Sequence, residues 1–168
     1  MARPRLIPDT TLLQAILDAF QTGGEKAVSF RLIAARNGLS AAALVGRFGN
    51  GEAMLRAALS HGWDQLLAEV DLIPTASRKS EAGRGGGTLS MLKGLGHPHP
   101  ALLAASLGDT TLAEKASLWR QSVVQQIALR GTDRESAEMA FAAWSARNLW
   151  EGAGGKGFRL GAVLRKLG

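Results

Sequence analysis

The chain has 168 residues, enough for a buried core in one or two domains, and its 46% hydrophobic and 20% charged residues are typical of a globular protein. Its 20 Lys and Arg against 14 Asp and Glu give a net charge of +6, which favours polyanionic partners such as nucleic acid or an anionic membrane surface. The absence of cysteine excludes disulfides and thiolate sites, and because no apolar run approaches a membrane span or a signal-peptide core, we expect a cytoplasmic protein.

The N-terminal segment begins with MARPRLIP, which has no hydrophobic period and predicts a loose tail. The alternative is an arm in which Arg3 and Arg5 contact DNA phosphates or the minor groove. Asp9 then stands where it can cap a first helix that ends at Gly23-Gly24. That helix carries one apolar stripe, formed by Leu12, Leu13, Ile16, Leu17 and Phe20.

The stretch from Val28 to Leu55 predicts two short helices joined by a tight turn. Ser29 and Ser40 stand at N-cap positions, and Gly38 between them can adopt the left-handed conformation that ends a helix. Such a pair is typical of a helix-turn-helix, whose second helix enters the DNA major groove, and an ordinary corner of a helical bundle is the alternative. Charge favours DNA slightly, because the charged residues between Val28 and Gly51 are all basic: Arg31, Arg36 and Arg47.

The remainder of the chain predicts further helices. Asn50 can cap a long helix from Gly51 to about Ile73, and Pro74 begins a glycine-rich loop at 74–88. A short helix is predicted at Thr88–Leu95, another begins at Pro100, and a long one runs from Asp109 or Thr110 to Gly131. A capping box at Thr132 and Glu135 begins the next helix, and a glycine loop at 152–157 precedes the last one, at the C-terminus. Because no segment alternates apolar and polar residues as a strand does, we expect an all-α protein.

Residues from about Thr11 to Leu59, roughly a third of the chain, resemble the N-terminal domain of the TetR (tetracycline-repressor) family of transcriptional regulators. The segments LLQAILDAF, S-F-R-x-I-A, G-L-S, A-A-L-V-x-R-F and G-N-G-E-A-M-L follow in the order and at the spacing of that family. The resemblance implies an N-terminal three-helix helix-turn-helix DNA-binding head in residues 1–50. It also implies a C-terminal helical body for effector binding and dimerisation in residues 51–168.

The resemblance further implies that the helix after Ser40 is the recognition helix. We expect the DNA contacts from seven residues: Arg31, Ser40, Ala41, Ala42, Ala43, Val45 and Arg47. Arg47 is the side chain most expected to contact guanine or a phosphate, with a solvated surface arginine as the alternative. Val45 and Gly51 stand where the family usually carries Tyr and Lys at phosphate-contacting positions, which predicts weaker or differently anchored DNA binding.

In the resembling family the C-terminal helices bury a small apolar effector and pair with a second subunit. The residues expected at the effector pocket are Trp63, Met91, His97, Leu103 and Trp119, and those expected at a dimer face are Phe141, Trp144, Leu160 and Leu164. Packing in the core is the alternative for each tryptophan.

The sequence gives no pattern for a metal or an active site. His97 and His99 flank Pro98 without an established ligand spacing, His61 lies elsewhere, and no nucleophile stands at a readable spacing from a base. We therefore expect no metal, no cofactor and no enzymatic activity. The predicted function is a homodimeric repressor that binds a palindromic operator in double-stranded DNA and is released by a small apolar effector, without a membrane partner. The alternative is a helical interaction protein of the same fold that has lost DNA binding.

Overall fold

The computed structural model describes residues 7–74, 86–151, 153–154 and 159–167 of the chain. Within these residues every regular element is helical, which confirms the all-α prediction. The helices are α1 (Asp9–Gly23), α2 (Phe30–Asn37), α3 (Ala41–Phe48), α4 (Gly51–Asp71), α5 (Gly86–Gly94), α6 (Pro100–Ser106), α7 (Thr110–Ala128), α8 (Arg134–Glu151) and α9 (Leu160–Leu167), with a 3₁₀ turn at Glu25–Ala27 after α1. Of these helices, none combines the length and the apolar character needed to cross a membrane.

The chain folds as two compact units. The first unit contains the described part of Met1–Gln65 together with His99–Lys115, and the second contains the described parts of Leu66–Pro98 and Ala116–Gly168. These segments differ from the division at residue 50 expected from the sequence. The start of α4 and the whole of α6 fold with the N-terminal helices.

The core of the first unit is built around α1. The predicted stripe on α1 is buried except for Leu13, which is half-buried. A close approach occurs at Gly62 of α4, where an added Cβ would lie 2.9 Å from a methyl of Leu17 and 3.4 Å from a methyl of Leu102. Glycine at this position therefore lets α1 and α6 pack against α4. The buried apolar side chains of this unit are Leu12, Ile16, Leu17, Ala19, Phe20, Ile33, Ala34, Leu44, Met54, Ala58, Leu59, Trp63, Leu102 and Leu112.

The core of the second unit lies between α5, α7, α8 and α9. Helix α9 packs against α8 and α5, and it buries Leu160 and Leu164 at a spacing of one helical turn. The other buried apolar side chains of this unit are Val70, Leu92, Trp119, Val123, Val124, Ile127, Ala137, Ala140 and Trp144.

Most predicted helix caps are confirmed. The side chains of Ser29, Ser40 and Asn50 each accept a backbone N–H at the start of the helix that follows. Asp109 caps α7 by accepting the amide of Leu112 at 3.1 Å, and Pro100 is the first residue of α6 as predicted. Gly38 has the predicted left-handed conformation, with φ of 65°.

Two predicted caps are wrong. The capping box at Thr132 and Glu135 is replaced by Asp133, whose Oδ1 accepts the amide of Ser136 at 2.9 Å. Thr132 instead donates its hydroxyl to the carbonyl of Ile127, which closes the end of α7. Asp9 does not cap α1, because the helix already includes it and Pro8 occupies the cap position.

Three further predictions fall wholly or largely outside the described residues. They are the tail with Arg3 and Arg5, the loop at 74–88 and the glycine loop at 152–157. Helix α5 begins at Gly86, two residues before the predicted start, and α4 ends at Asp71, two residues before the predicted end.

Candidate nucleic-acid interface

The corner between α2 and α3 is built by local hydrogen bonds that the sequence dictates. Ser29 Oγ accepts the amide of Leu32 at 3.3 Å, which satisfies a free N–H at the start of α2. At the other end of α2, Gly38 turns the chain and the amide of Leu39 donates to the carbonyl of Ala34 at 3.0 Å. Ser40 Oγ then accepts the amide of Ala43 at 3.1 Å and starts α3. The corner therefore follows from two serine caps and one glycine.

Helix α3 exposes most of its surface. Leu44 is fully buried and holds the helix to the unit, and α2 packs against α3. Of the predicted DNA-contacting residues between Ser40 and Arg47, all except Arg47 are exposed, and Val45 is 45% exposed. The exposed set is Ser40, Ala41, Ala42, Ala43, Val45 and Gly46. This surface presents one hydroxyl and several methyl groups.

Two arginines on α2 provide exposed positive charge beside this corner. Arg31 lies in the first turn of α2 and Arg36 in its last turn, and both side chains are exposed. Arg31 was predicted to contact DNA and is free to extend into solvent. Arg36 lies at the C-terminal end of α2, where its positive charge interacts favourably with the negative end of the helix dipole.

Arg47 is placed differently from the other predicted contacts. Its Nη1 donates to the carbonyl oxygen of Ile7 at 3.1 Å and to Oδ1 of Asp9 at 3.2 Å, and its side chain is 23% exposed. The guanidinium therefore joins the end of α3 to the start of α1. The alternative for Arg47 was a solvated surface arginine, but the side chain is half-buried and forms an ion pair with Asp9.

The residues predicted for the effector pocket are divided between the two units. Trp63 and Leu103 belong to the first unit, where the Trp63 indole is fully buried and donates from Nε1 to Ser106 Oγ at 2.8 Å. Met91, His97 and Trp119 belong to the second unit. Trp63 is therefore a core residue of the first unit, which is the alternative that the sequence left open.

The second unit contains a cluster of four rings formed by His97, Trp119, Phe141 and Trp144. The ring centroid of His97 lies 5.1 Å from that of Trp144 and 6.1 Å from that of Trp119, both in edge-to-face arrangements. Phe141 lies 5.7 Å from Trp119 and 6.0 Å from Trp144. Burial lowers the pKa of His97, although its Nδ1 donates to the Pro98 carbonyl at 3.0 Å, which acts in the opposite direction. The cluster thus favours neutral imidazole.

The predicted dimer face needs a correction. Trp144, Leu160 and Leu164 are each at most 4% exposed within the single chain, because α8 and α9 pack against each other. Phe141 is half-buried against Trp119 and Trp144. Trp144, Leu160 and Leu164 therefore stabilise the second unit itself and are covered by the chain, while Phe141 remains partly exposed.

Helix α8 carries an exposed apolar stripe that the sequence reasoning missed. Met139 and Leu149 are 45% and 42% exposed, Trp150 is 68% exposed, and Ala142 and Ala146 are exposed between them. The steps from Met139 to Ala142, Ala146 and Leu149 are three, four and three residues, which places these four side chains on one helical face. The signal was present in the sequence, but it lay beside the stronger stripe of Ala137, Phe141 and Trp144. We call Met139, Ala142, Ala146, Leu149 and Trp150 the α8 stripe.

The first unit also has an open cleft of about 330 Å³ between α1, the 3₁₀ turn and α2. It is lined by Ala15, Asp18, Ala19, Thr22, Gly23, Ala27 and Arg36, and none of these residues was predicted for an effector pocket. Among the described residues no group of three or more His, Asp or Glu side chains could hold a metal ion.

No known family model matches this chain, and no curated protein matches it either.

Proposed function

We propose that the protein is a DNA-binding transcriptional regulator of the TetR type, a repressor in which α1, α2 and α3 form a helix-turn-helix head. One observation carries the proposal: α3 is fixed by Leu44 yet leaves Ser40, Ala41–Ala43, Val45 and Gly46 exposed. A short exposed helix behind a glycine corner is the shape that enters a major groove. The order of motifs between Thr11 and Leu59 supports this proposal.

The exposed surface of α3 defines the kind of DNA contact that we propose. Methyl groups of three alanines and Val45 suit the methyl group of thymine, and Ser40 can bond to a base edge or a phosphate. Because such a helix reads few bases directly, the proposed specificity depends partly on the shape of the DNA. Arg31 and Arg36 are exposed nearby and supply the positive charge for phosphates.

A homodimer is part of the proposal because one alanine-rich helix offers few specific contacts. Two copies would place their α3 helices in successive major grooves, about 34 Å apart. The α8 stripe is the surface that we assign to this dimer, in place of the buried residues expected from the sequence. Its Ala142 and Ala146 allow a second helix to approach closely, and Met139 and Leu149 at the two ends match each other in an antiparallel pair. Binding of a small apolar effector in the helical body would release the DNA.

A second candidate function is a helical interaction protein of the same fold without DNA binding. Two observations favour it: α3 has no free basic side chain of its own, since Arg47 is paired with Asp9, and Val45 and Gly51 stand where the family has Tyr and Lys. This candidate requires that the surface of α3 contacts a protein.

An electrophoretic shift assay against the DNA that flanks the gene tests the proposal. We expect a shifted band with one fragment and none with an unrelated duplex of equal length, and we expect binding to strengthen as the salt concentration falls. Ala42→Glu should abolish the shift by placing a negative charge on the exposed face of α3. Ala113→Glu, at an exposed position of α7, adds the same charge elsewhere and should leave the shift intact. Absence of a shift at every salt concentration would favour the interaction protein.

A further inference from the structure

The ion pair between Asp9 and Arg47 joins two helices that are far apart in sequence. Arg47 Nη1 bridges the Asp9 carboxylate at 3.2 Å and the Ile7 carbonyl at 3.1 Å, so the residues are 38 and 40 positions from it along the chain. Asp9 is the first residue of α1, Ile7 precedes the helix by two residues, and Arg47 lies in the last turn of α3. The contact therefore fixes the C-terminal end of the exposed helix to the N-terminal end of α1.

Helix α3 is short and buries few of its side chains. It has eight residues, and Leu44 is its one fully buried side chain. Phe48 is half-buried and α2 packs against α3, so a further contact in the last turn of α3 restricts the remaining tilt of the helix. The Arg47 side chain supplies that contact, and its partial burial, with 23% of the side chain exposed, limits its rotamers.

The guanidinium of Arg47 keeps donors for another acceptor. An arginine has five N–H donors, two of them on each terminal nitrogen and one on Nε. The carboxylate of Asp9 and the carbonyl of Ile7 both accept from Nη1, so Nη2 and Nε are not required for either bond. A planar group held on one side by a carboxylate presents its other side in a fixed direction.

We propose that Asp9 is a positioning residue for DNA recognition, which holds Arg47 so that α3 has one orientation and the remaining guanidinium donors face a phosphate of the bound DNA. This inference rests on the proposed function. It selects the phosphate contact from the two roles expected for Arg47, because a side chain held by Asp9 and Ile7 anchors the helix to the DNA backbone and does not search the base edges.

The same carboxylate has an opposite effect on DNA of arbitrary sequence. The side chain of Asp9 is 75% exposed, so its negative charge acts on any nearby polyanion. Asp9 therefore lowers the affinity for all DNA through charge and raises the affinity for the correct site through the orientation of α3. Removal of a residue that acts through charge alone would change both affinities in the same direction.

The test compares two variants that each remove one exposed acid of the first unit. Asp9→Asn removes the charge of Asp9 and weakens its hold on Arg47. Glu52→Gln removes an acid that pairs with Arg56 within α4, at 3.3 Å, and serves as the matched control. The probes are a duplex selected by the full-length wild-type protein from a random library, and calf-thymus DNA as the non-specific competitor. Circular dichroism confirms that both variants keep their helix content.

We expect Asp9→Asn to bind calf-thymus DNA more tightly and the selected duplex about tenfold less tightly, the size of effect produced by losing one hydrogen bond between charged groups. Glu52→Gln should bind both probes equally or more tightly. Asp9→Glu, which keeps the charge, should recover part of the selectivity. If Asp9→Asn instead strengthens binding to both probes by the same factor, as the control does, Asp9 is an ordinary surface acid and the inference is wrong.

Failure of the proposed function gives a different result. In that case the wild-type protein selects no duplex from the library. Loss of selectivity in Asp9→Asn can be observed only when the wild type is selective, so the two failures are distinguished by the wild-type measurement alone.

Discussion

The indole of Trp63 donates from Nε1 to the hydroxyl of Ser106 at 2.8 Å, and Ser106 donates in turn to the carbonyl of Leu102 at 2.7 Å. Both Trp63 and Ser106 are buried, so the bonds form away from bulk water. This chain of hydrogen bonds ties α6 to α4 within the first unit. Trp63 therefore has a structural contact in the core of the first unit.

Ser106→Ala tests that contact. Removal of the hydroxyl takes away the bridge between Trp63 and α6, and we expect the free energy of unfolding to fall by about 1 kcal/mol, the usual contribution of one buried hydrogen bond. Urea unfolding followed by tryptophan fluorescence measures the loss. Ser60→Ala, at a half-buried position of α4, is the control and should change the midpoint little. An unchanged midpoint for Ser106→Ala would show that the bridge does not stabilise the fold.

Asp133→Ala tests the corrected cap of α8. The amide and hydroxyl of Ser136 bond to Asp133 and lower the pKa of its carboxyl, so the charged form is favoured in the folded protein. The resulting stability is present above the pKa of the unfolded chain and is lost as the pH falls through the lower folded value. We expect Asp133→Ala to lower the urea midpoint at neutral pH. We also expect the urea midpoint of this variant to decrease less than that of the wild type as the pH is lowered. Glu135→Gln, which alters the capping box that the sequence predicted, should have no such effect.

His97→Phe tests the aromatic cluster of the second unit. Because burial lowers the pKa of His97, the unfolded chain binds the proton more readily than the folded protein does. Stability is therefore complete above the unfolded pKa and falls as the pH drops below it towards the folded value. We expect wild-type stability to stay constant well above the ordinary histidine pKa of about 6.5 and to decrease as the pH falls below it. His97→Phe keeps a ring in the cluster and should remove much of this decrease.

The controls for that experiment are the two other histidines. His61→Gln and His99→Gln change residues outside the aromatic cluster, so each should retain the acid-dependent decrease. If either control removes the decrease and His97→Phe retains it, the cluster is not its origin.

Ala146→Glu tests the dimer face assigned to the α8 stripe. A carboxylate at the centre of an apolar contact is costly to bury, so we expect the variant to be monomeric at concentrations where the wild type is a dimer. Sedimentation equilibrium gives the mass. Arg134→Glu also makes the charge of α8 more negative, but its side chain is 85% exposed away from the stripe, and it should remain dimeric. A wild type that is monomeric at every concentration would contradict the assigned face.

The corner between α2 and α3 could be predicted from the sequence because its determinants are local. Ser29, Gly38 and Ser40 each act on residues three to five positions away, and helix caps and left-handed glycines have recognisable residue types. The same holds for Asn50 at the start of α4. Local chemistry of this kind is readable from one chain without tertiary information.

The partner of Arg47 could not be predicted, because Asp9 is 38 residues away and nothing local links the two. The dimer face predicted on α8 differs from the exposed face for another physical reason. Helical periodicity identifies which residues share a face, but it does not say whether the chain itself covers that face. Trp144 lies on the face that α9 covers, while Met139 and Leu149 lie on the face that remains exposed. The capping error at Thr132 arose because Asp133, one residue further, is an equally good cap.

The central claim is that two copies of α3 enter successive major grooves of one DNA site. Dimethyl-sulfate protection measures this most directly, since the reagent methylates guanine in the major groove and adenine in the minor groove. On a duplex selected by the wild-type protein, we predict two protected guanine clusters whose centres lie about 10 base pairs apart, with Ala42→Glu protecting neither. Protection confined to adenines, or a single protected cluster at every protein concentration, would contradict it.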